Sequence, residues 1–231
     1  MTLKLSVVQS ATDFDKIAPM DHDAWKIPYN PQLKHFRPQF PTREQAIAYA
    51  RENSKCRFED RDPEKQFWLK VEDENEEVIG AAQWAVNIPA EGAERTVASW
   101  YPEGSEEREF AERFINGLWG FLGERVTRPH MVVHVEHRYR GAGRMLIKWG
   151  TAKADELGIE TVISSLHSAR GAYEKSGLGY IEEIPPSRDL EVENPSAKWK
   201  ELQADDLSGC LMWRPVGRDF VVGEDKAPWQ E

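Results

Sequence analysis

The sequence predicts one mixed α/β domain over residues 1–217. Patterns typical of strands alternate with patterns typical of helices, and two neighbouring strand patterns are joined as a hairpin. Apolar residues make up 40% of the 231 residues, and nine residues are Trp, a composition typical of a folded globular protein. No internal repeat and no clean boundary divides the chain, so a single domain is favoured over two.

The first third of the chain predicts a strand, two helices and an ordered loop. Residues 3–9 alternate as a strand does, and Ser10 is a capping residue for the helix that follows. The segment 27–41 combines four prolines with aromatic side chains, which favours an ordered loop against a pocket or the core. Thr42 starts a second helix that is expected to end near residues 54–57.

The middle of the chain predicts a hairpin, a helix and another strand. Residues 66–73 and 77–88 form two antiparallel strands around a short polar turn. Ser105 caps a helix whose apolar residues recur at fourfold spacing. Residues 130–137 form an apolar-rich strand that leads directly into a glycine-rich turn and then a helix ending at Gly158.

The last third of the chain continues the alternation. Residues 160–166 and 179–184 predict strands on either side of a short helix at 168–177. Residues 207–215 are expected to add a last strand at the edge of the sheet. The segment 218–231 is predicted to be a poorly ordered tail.

The charge balance of the chain narrows the choice of partners. Forty acidic side chains oppose thirty basic ones, which gives a formal net charge of -10 at pH 7. Such a molecule repels nucleic acids and anionic membrane surfaces, so neither is an expected partner. The acidic balance favours a cationic ligand, although a solubilising surface charge is the simpler explanation.

The remaining bulk features predict a cytoplasmic protein without a metal site. Asp13 and Asp15 lie where a signal peptide would need a continuing apolar stretch, and no run approaches the roughly 18 apolar residues of a membrane span. Cys56 and Cys210 lie far apart without CxxC spacing, which predicts two buried free thiols and neither a disulfide nor a cysteine zinc site.

The most informative segment is the turn at residues 138–144, Arg-Tyr-Arg-Gly-Ala-Gly-Arg. Its two glycines remove side chains where backbone N–H groups meet the positive end of the following helix, an arrangement that binds a pyrophosphate. Three arginines add positive charge to an otherwise acidic chain and outweigh the alternative of a plain tight turn. The segment is neither a Walker loop nor a dinucleotide fingerprint, because no Gly-Lys-Ser/Thr follows and a third glycine is missing.

Two segments of the chain resemble the GNAT superfamily of N-acetyltransferases. Arg138-x-x-Gly141-x-Gly143 matches the Q/R-x-x-G-x-G/A signature whose loop holds the pyrophosphate of acetyl-CoA, and AYEKSGLGY at 172–180 is similar to a later motif of the family. The resemblance is closest over residues 130–184 and extends through the order of the earlier elements. It implies a GNAT fold: a mixed, mostly antiparallel sheet of six to seven strands, flanked by helices and splayed where the cofactor enters.

The resemblance also implies the residues of the site, with acetyl-CoA as co-substrate. The backbone of the strand before the turn would pair with the pantetheine arm, and N–H groups of the turn would hold the pyrophosphate. Tyr173 falls on the tyrosine that donates a proton to the departing thiolate in many family members. A phenol with a pKa of about 10 suits an alkyl thiolate of about 8.5 or higher, whereas the alternative is a core aromatic residue. The implied cofactor-binding residues are Val133, His134, Val135, Arg138, Tyr139, Arg140, Gly141, Ala142, Gly143 and Arg144.

The resemblance is incomplete around the acceptor. Relatives often carry a Glu where this sequence has Ser164 or Ser165, and Leu178 replaces an aromatic residue. A primary amine is neutral in only about one molecule in a thousand at pH 7, so attack requires deprotonation. The candidate bases by residue type are His130, His134 and Glu136. Each is also explained as a strand-face or solvated residue, and a chain of water molecules is the other route. The candidate residues on the acceptor side are Asp21, His22, Asp23, Trp25, Tyr29 and Trp84.

The sequence therefore predicts an acyltransferase that moves an acetyl group from acetyl-CoA to a primary amine of a small molecule by direct attack, with Tyr173 as general acid. Acetylation of a protein N-terminus or lysine stays open, as does a homodimer. The competing interpretation is a non-catalytic or regulatory acyl-CoA-binding module of the same fold, favoured by the departures at residues 164–178 and by the lack of an obvious base. A third interpretation is another phosphate ligand in the glycine turn.

Overall fold

The computed structural model describes residues 2–26, 30–86, 95–123, 130–133, 135–185 and 188–230. Within these residues the chain forms seven strands and seven α-helices. The strands are β1 (Lys4–Val7), β2 (Gln66–Glu72), β3 (Val78–Ala85), β4 (His130–Val133), β5 (Thr161–Ser165), β6 (Gly179–Ile184) and β7 (Gly209–Arg214). The helices are α1 (Phe14–Ala24), α2 (Leu33–Phe36), α3 (Arg43–Glu59), α4 (Glu106–Gly123), α5 (Ala142–Leu157), α6 (Arg170–Glu174) and α7 (Ala197–Gln203).

The strands divide into two antiparallel sheets. The first has the order β1-β2-β3-β4 and the second the order β5-β7-β6. β4 pairs with β3 from His130 opposite Gln83 to Val133 opposite Gly80, and the described residues record no ladder between β4 and β5. The strand count and the antiparallel pairing confirm the predicted fold class, with the sheet opened between β4 and β5.

Alternation along the strands places helices on both faces of each sheet. In the first sheet, Trp68 packs in a core cluster with α1, whereas Leu69 packs in one with α5. In the second sheet, Val162 packs with α4, whereas Ile163 packs with α5 and α6. Since α5 contacts both sheets, α5 and α6 lie on one side of the molecule, and α1 and α4 lie on the other.

Two helices begin with the capping side chains that the sequence predicts. Thr42 Oγ1 accepts a hydrogen bond from the backbone N–H of Gln45 at 3.3 Å, and Ser105 Oγ accepts one from Arg108 at 3.3 Å. Each bond satisfies an N–H group that has no acceptor within the helix. The predicted starts of α3 and α4 are confirmed.

Two strands differ from their predictions. β4 ends at Val133, and a 3-10 turn at Val135–His137 replaces the end of the predicted strand. β7 lies in the middle of the second sheet and not at its edge. All six residues of β7 are buried, as expected for a central strand whose unbroken apolar run covers both faces.

Residues 218–230, for which the sequence predicts a poorly ordered tail, place three apolar side chains against the second sheet. Phe220 and Trp229 pack on a cluster that contains Trp213, and Ala227 is fully buried there. The backbone N–H of Phe220 donates to the Gly177 carbonyl at 2.9 Å. These three side chains complete the core beside β6 and β7, whereas Val222 is 88% exposed.

The proline-rich segment is ordered where the structure describes it, at residues 30–41. His35 is fully buried in α2, with its ring 5.0 Å from that of Phe110 and 5.4 Å from that of Phe114. Neither ring nitrogen has a hydrogen-bond partner among the described residues. The predicted packing of this segment is confirmed for residues 30–41, and 27–29 lie outside the described residues.

Two bulk features complete the description. Cys210 is buried, whereas Cys56 is exposed on α3, so the prediction of a buried thiol is wrong for Cys56. No helix in the described part of the chain is both long enough and apolar enough to cross a membrane.

Candidate active site

The glycine turn leaves the start of α5 without a side-chain cap. Gly141 precedes the helix with a φ of 103°, a left-handed conformation that favours glycine. The first bond of the helix runs from the N–H of Met145 to the Gly141 carbonyl at 3.0 Å. The earlier N–H groups, of Ala142, Gly143 and Arg144, have no acceptor within the helix, and Gly141 has no side chain to provide one. They are available to an anion.

The other residues predicted to hold the cofactor flank this helix start. Val133 is the last residue of β4, and Val135 belongs to the 3-10 turn that follows it. Tyr139 is fully exposed and has a φ of 64°, which is uncommon for a residue with a side chain. His134 lies outside the described residues.

Two of the three arginines in the turn are held by the protein itself. The Arg138 guanidinium donates to the carbonyl of Ala24, the last residue of α1, at 3.0 Å. Arg140 lies 3.2 Å from a carboxylate oxygen of Glu74 and 3.6 Å from one of Asp73. Hydrogen bonds from the backbone N–H groups after Asp73, together with the Arg140 charge, hold the pKa of this carboxyl below its usual value. The carboxylates of Asp73 and Glu74 offset the charge of Arg140, so the net positive charge of the turn is smaller than the sequence suggests.

A cavity of about 980 Å³ lies at the opening between the two sheets. It is lined by Trp84 of β3 and Ile163 of β5, and by the glycine turn with α5 and α6 on one side. Trp25, which follows α1, and Leu118 of α4 line it from the other side. The cavity therefore reaches both faces of the opened sheet, and two ligands that enter from opposite faces can meet in it.

Tyr173 lies in α6 and is 6% exposed. Its ring packs in a cluster with Ile147, Ile163 and Leu178, and it lines the cavity. Burial raises the pKa of the phenol well above its usual value, and Cys210 adds to the rise. The hydroxyl therefore stays protonated near neutral pH, as a proton donor must.

The positions that depart from the family pattern have ordinary contacts. Ser164 and Ser165 both line the cavity, and Ser165 Oγ donates to the Leu166 carbonyl at 2.9 Å. Leu178 is buried in the Tyr173 cluster, where an aliphatic side chain fills the core position. β5 thus presents hydroxyl groups to the cavity where relatives often have a carboxylate.

Of the three predicted bases, the structure describes the side chain of Glu136. His134 is outside the described residues, and His130 is described only by its place in β4. Glu136 is exposed and lines a second, more open cavity of about 590 Å³. His137, which sequence reasoning missed, lines both cavities.

His137 is oriented as a hydrogen-bond donor toward its surroundings. Its Nδ1 lies 2.7 Å from the Arg140 guanidinium, which can only donate. Nδ1 must therefore accept, and neutral His137 carries its proton on Nε2. In this arrangement His137 has no free lone pair with which to act as a base.

Of the residues predicted on the acceptor side, Trp25 and Trp84 line the larger cavity. Asp21 instead accepts a hydrogen bond from Trp25 Nε1 at 3.2 Å. Tyr29 lies outside the described residues, and His22 is not among those that line the larger cavity. The two tryptophans predicted on the acceptor side therefore line the cavity.

Asp23 is held in ion pairs away from this cavity. Its carboxylate lies 2.5 Å from Arg43 and 2.8 Å from Lys26. The Arg43 hydrogen bond, assisted by Lys26, holds the pKa of Asp23 well below its usual range. The acidic residues nominated by the sequence thus stabilise the end of α1.

Sequence reasoning missed Asn30, Gln32 and Leu118, all of which line the cavity from the side of α1 and α4. The aromatic and proline-rich composition of segment 27–41 signals a pocket there. No pattern in the sequence singles out the two amides, because their position depends on contacts with residues far along the chain.

The sequence matches the profile of the family described as acetyltransferase (GNAT) family over residues 29–180, more than half of the chain. The chain belongs to the GNAT family. It is accordingly an acyltransferase, and GNAT enzymes use acetyl-CoA. Among curated proteins, none matches the chain.

Solved structures share this GNAT fold at low sequence identity. One from Corynebacterium glutamicum, described as histone acetyltransferase HPA2 and related acetyltransferase, has a TM-score of 0.56 and 16% identity, covering 96% of this chain and 100% of that one. A GCN5-related N-acetyltransferase from Kribbella flavida has a TM-score of 0.52 and 16% identity, covering 93% and 98%. A phosphinothricin acetyltransferase from Sinorhizobium meliloti in complex with AcCoA has a TM-score of 0.50 and 14% identity, covering 94% and 90%.

In this GNAT protein the described residues contain no group of three or more His, Cys, Asp or Glu side chains that could hold a metal ion. The residues that line the cavity carry these polar groups: the N–H groups of α5, the Tyr173 hydroxyl, and the amides, hydroxyls and indoles of its walls.

Proposed function

We propose that this GNAT protein transfers an acetyl group from acetyl-CoA to a primary amine of a small molecule by direct attack, with Tyr173 as general acid. The observation that carries the proposal is the uncapped start of α5, which opens onto the same cavity as the Tyr173 ring. An anion site and a buried proton donor in one cavity suit a cofactor that has a pyrophosphate at one point and a thioester at another.

The residues of the turn fit a pyrophosphate. The free N–H groups of Ala142, Gly143 and Arg144 lie at the positive end of the α5 dipole, where negative charge is favoured. Arg144 and Lys175 line the cavity and add positive charge. We assign the pyrophosphate to these groups, and we assign Arg138 and Arg140 the task of holding the turn in place.

The edge of β4 fits the pantetheine arm. Val133 pairs with Gly80 on one side, and no described strand pairs with β4 on its other side. An amide-containing chain can add to such an edge through backbone hydrogen bonds. We propose that Val133 and His134 make these bonds and that Val135, in its 3-10 turn, marks where the strand-like pairing ends.

Tyr173 supplies the proton in the proposed reaction. Acetyl-CoA, when bound, supplies the thioester carbonyl that the amine attacks. Tyr173 packs against Ile147 and Ile163, and burial raises the pKa of its phenol, so the hydroxyl is protonated when the thiolate forms. It donates that proton to the departing sulfur in the proposed step.

The amine enters from the side of α1 and α4 in this proposal. Trp25 and Leu118 line that part of the cavity and are uncharged, whereas Arg138 reaches its edge by donating to the Ala24 carbonyl. A cavity walled by these side chains supports a small acceptor. The proton of the attacking ammonium leaves through water in the cavity, since His137 is oriented as a donor.

Calorimetry tests the proposal directly. The purified protein is titrated with acetyl-CoA and with desulfo-CoA, and amines are then screened for release of free thiol. We expect micromolar binding of both cofactors and turnover with at least one amine class. A folded protein that binds neither cofactor would refute the proposal, and binding without turnover of any amine would favour the non-catalytic module.

A further inference from the structure

Two amide side chains on the wall of the cavity have orientations that their partners fix. Asn30 Oδ1 accepts a hydrogen bond from the backbone N–H of Gln32 at 3.0 Å. Gln32 Nε2 donates to the carbonyls of Leu207 at 2.9 Å and of Ser208 at 3.1 Å. Because a carbonyl can only accept and an N–H can only donate, neither amide can be flipped.

The hydrogen bonds leave one atom of each amide without a described partner: a donor on Asn30 and an acceptor on Gln32. Asn30 is only 6% exposed, and no described residue accepts a hydrogen bond from its Nδ2. Gln32 Oε1 likewise has no described donor. Both residues line the cavity, so an N–H donor and a carbonyl acceptor lie two residues apart in the chain beside the same space.

The chain holds this pair firmly on the acceptor side. The Gln32 bonds tie the segment to the residues just before β7, and the neighbouring α2 is anchored by the buried ring of His35. Lys34 forms an ion pair with Asp205 in the same region. The amides line the cavity together with Leu118 of α4, which lies on the face of the sheet opposite to Tyr173.

We propose that Asn30 and Gln32 select acceptor amines that carry a carboxamide or peptide amide close to the amine. The amide oxygen accepts from Asn30 Nδ2, and the amide N–H donates to Gln32 Oε1. This inference rests on the proposed function, since it names the acceptor class for that cavity.

Other polar groups on the acceptor fit the pair poorly. A second ammonium group could donate to Gln32 Oε1 but would leave Asn30 Nδ2 without an acceptor, and a carboxylate could accept from Asn30 Nδ2 but would leave Gln32 Oε1 without a donor. Either arrangement leaves a buried polar group without a partner, which costs considerably more than a missing apolar contact. The pair therefore discriminates by mismatch as well as by attraction.

The test compares L-phenylalaninamide with 2-phenylethylamine, which differ only by the carboxamide. Each is titrated by calorimetry into the protein saturated with CoA, and into the protein alone if CoA does not bind. We expect the amide to bind at least about tenfold more tightly. A phenylalanyl dipeptide amide as third ligand distinguishes a small amide from a peptide as the natural source of this group.

Asn30→Asp tests the assignment at the level of one atom. The variant keeps an oxygen for the Gln32 N–H but replaces the outer donor by an acceptor, so we expect the ratio of the two affinities to fall at least about tenfold. Asn53→Asp makes the same chemical change on the exposed surface of α3 and should leave the ratio unchanged. Circular dichroism and CoA affinity show whether the variants keep their fold.

Each outcome separates this inference from the function on which it rests. Equal affinities for the two amines, or an unchanged ratio in a folded Asn30→Asp protein, would overturn the inference while leaving acetyl transfer intact. Failure of the wild-type protein to bind CoA would instead overturn the proposed function. Titration of the amines into the protein without CoA would still test the amide pair.

Discussion

α3 and α5 begin with the same chemical problem, since the first N–H groups of any helix lack acceptors within it. At α3 the problem is met by Thr42, whose hydroxyl accepts from Gln45 N–H. At α5 the preceding residue is Gly141, which has no side chain, and the bare N–H groups line the cavity. A helix start left uncapped beside a cavity keeps hydrogen-bond donors for a ligand, whereas a capped start uses its donors to stabilise the helix.

Gly143→Glu should have the largest effect on CoA binding at the uncapped start of α5. The new carboxylate occupies the anion site both sterically and electrostatically, and we expect the affinity for CoA to fall about 1,000-fold. Isothermal calorimetry measures the loss. Gly120→Glu in α4, where an added side chain meets open space, is the matched control and should bind CoA as the wild type does. Equal losses in both variants would mean that charge alone, and not the site, is responsible.

His35 differs from the α5 start because its unpartnered polar atoms face an apolar interior and not a cavity. Neither ring nitrogen has a hydrogen-bond partner among the described residues. Burial lowers the pKa of His35 to about 4 from the ordinary 6.5. The unfolded chain therefore binds a proton between these values that the folded protein does not, so the free energy of unfolding falls by about 3 kcal/mol as the pH drops through this window. Urea denaturation between pH 7 and about pH 4 should show this slope, and it should be reduced in His35→Phe. A parallel slope in both proteins would assign it to other groups.

Tyr173→Phe tests the proton donor in the same cavity as the α5 start. We expect turnover to fall at least about tenfold, while CoA affinity stays within about twofold, because in the proposed mechanism the hydroxyl acts on the leaving sulfur and not on the pyrophosphate. Steady-state kinetics and calorimetry measure the two quantities. Tyr180→Phe removes a hydroxyl that lies 3.5 Å from Glu183 and serves as the control. Unchanged turnover would remove Tyr173 from the mechanism.

Thr42→Ala tests the capped end and should have the smallest effect. Loss of the cap is expected to lower the free energy of unfolding by about 1 kcal/mol and to leave CoA affinity unchanged. Chemical denaturation checks the first expectation and calorimetry the second. Thr42→Ser should restore most of the stability, and a change in CoA affinity would show that α3 is coupled to the site.

The sequence predicted local features better than contacts between distant parts of the chain. The hairpin of β2 and β3, the caps of α3 and α4 and the turn before α5 each depend on neighbouring residues, and all are confirmed. The partners of Arg138 and Arg140 could not be predicted, because Ala24 and Glu74 approach them only in the folded chain.

The same limit explains why the central position of β7 and the core contacts of the tail were not predicted. A run of apolar residues fits an edge or a central strand equally well until its neighbours are known, and β7 proved central. Phe220 and Trp229 are too few to predict packing by periodicity, yet both lie on the core. Asn30 and Gln32 became candidates only when their bonds showed which amide atoms keep no described partner.

The position of β7 also orders events during synthesis. β7 is the middle strand of the second sheet, yet it follows both β5 and β6 in the chain. β5 and β6 therefore leave the ribosome before the strand that joins them exists, and the Tyr173 cluster, which includes Cys210 and Met212 of β7, stays incomplete until then. The proposed anion site at α5 is translated more than fifty residues earlier, so the nascent protein acquires its two halves of the cavity at different times.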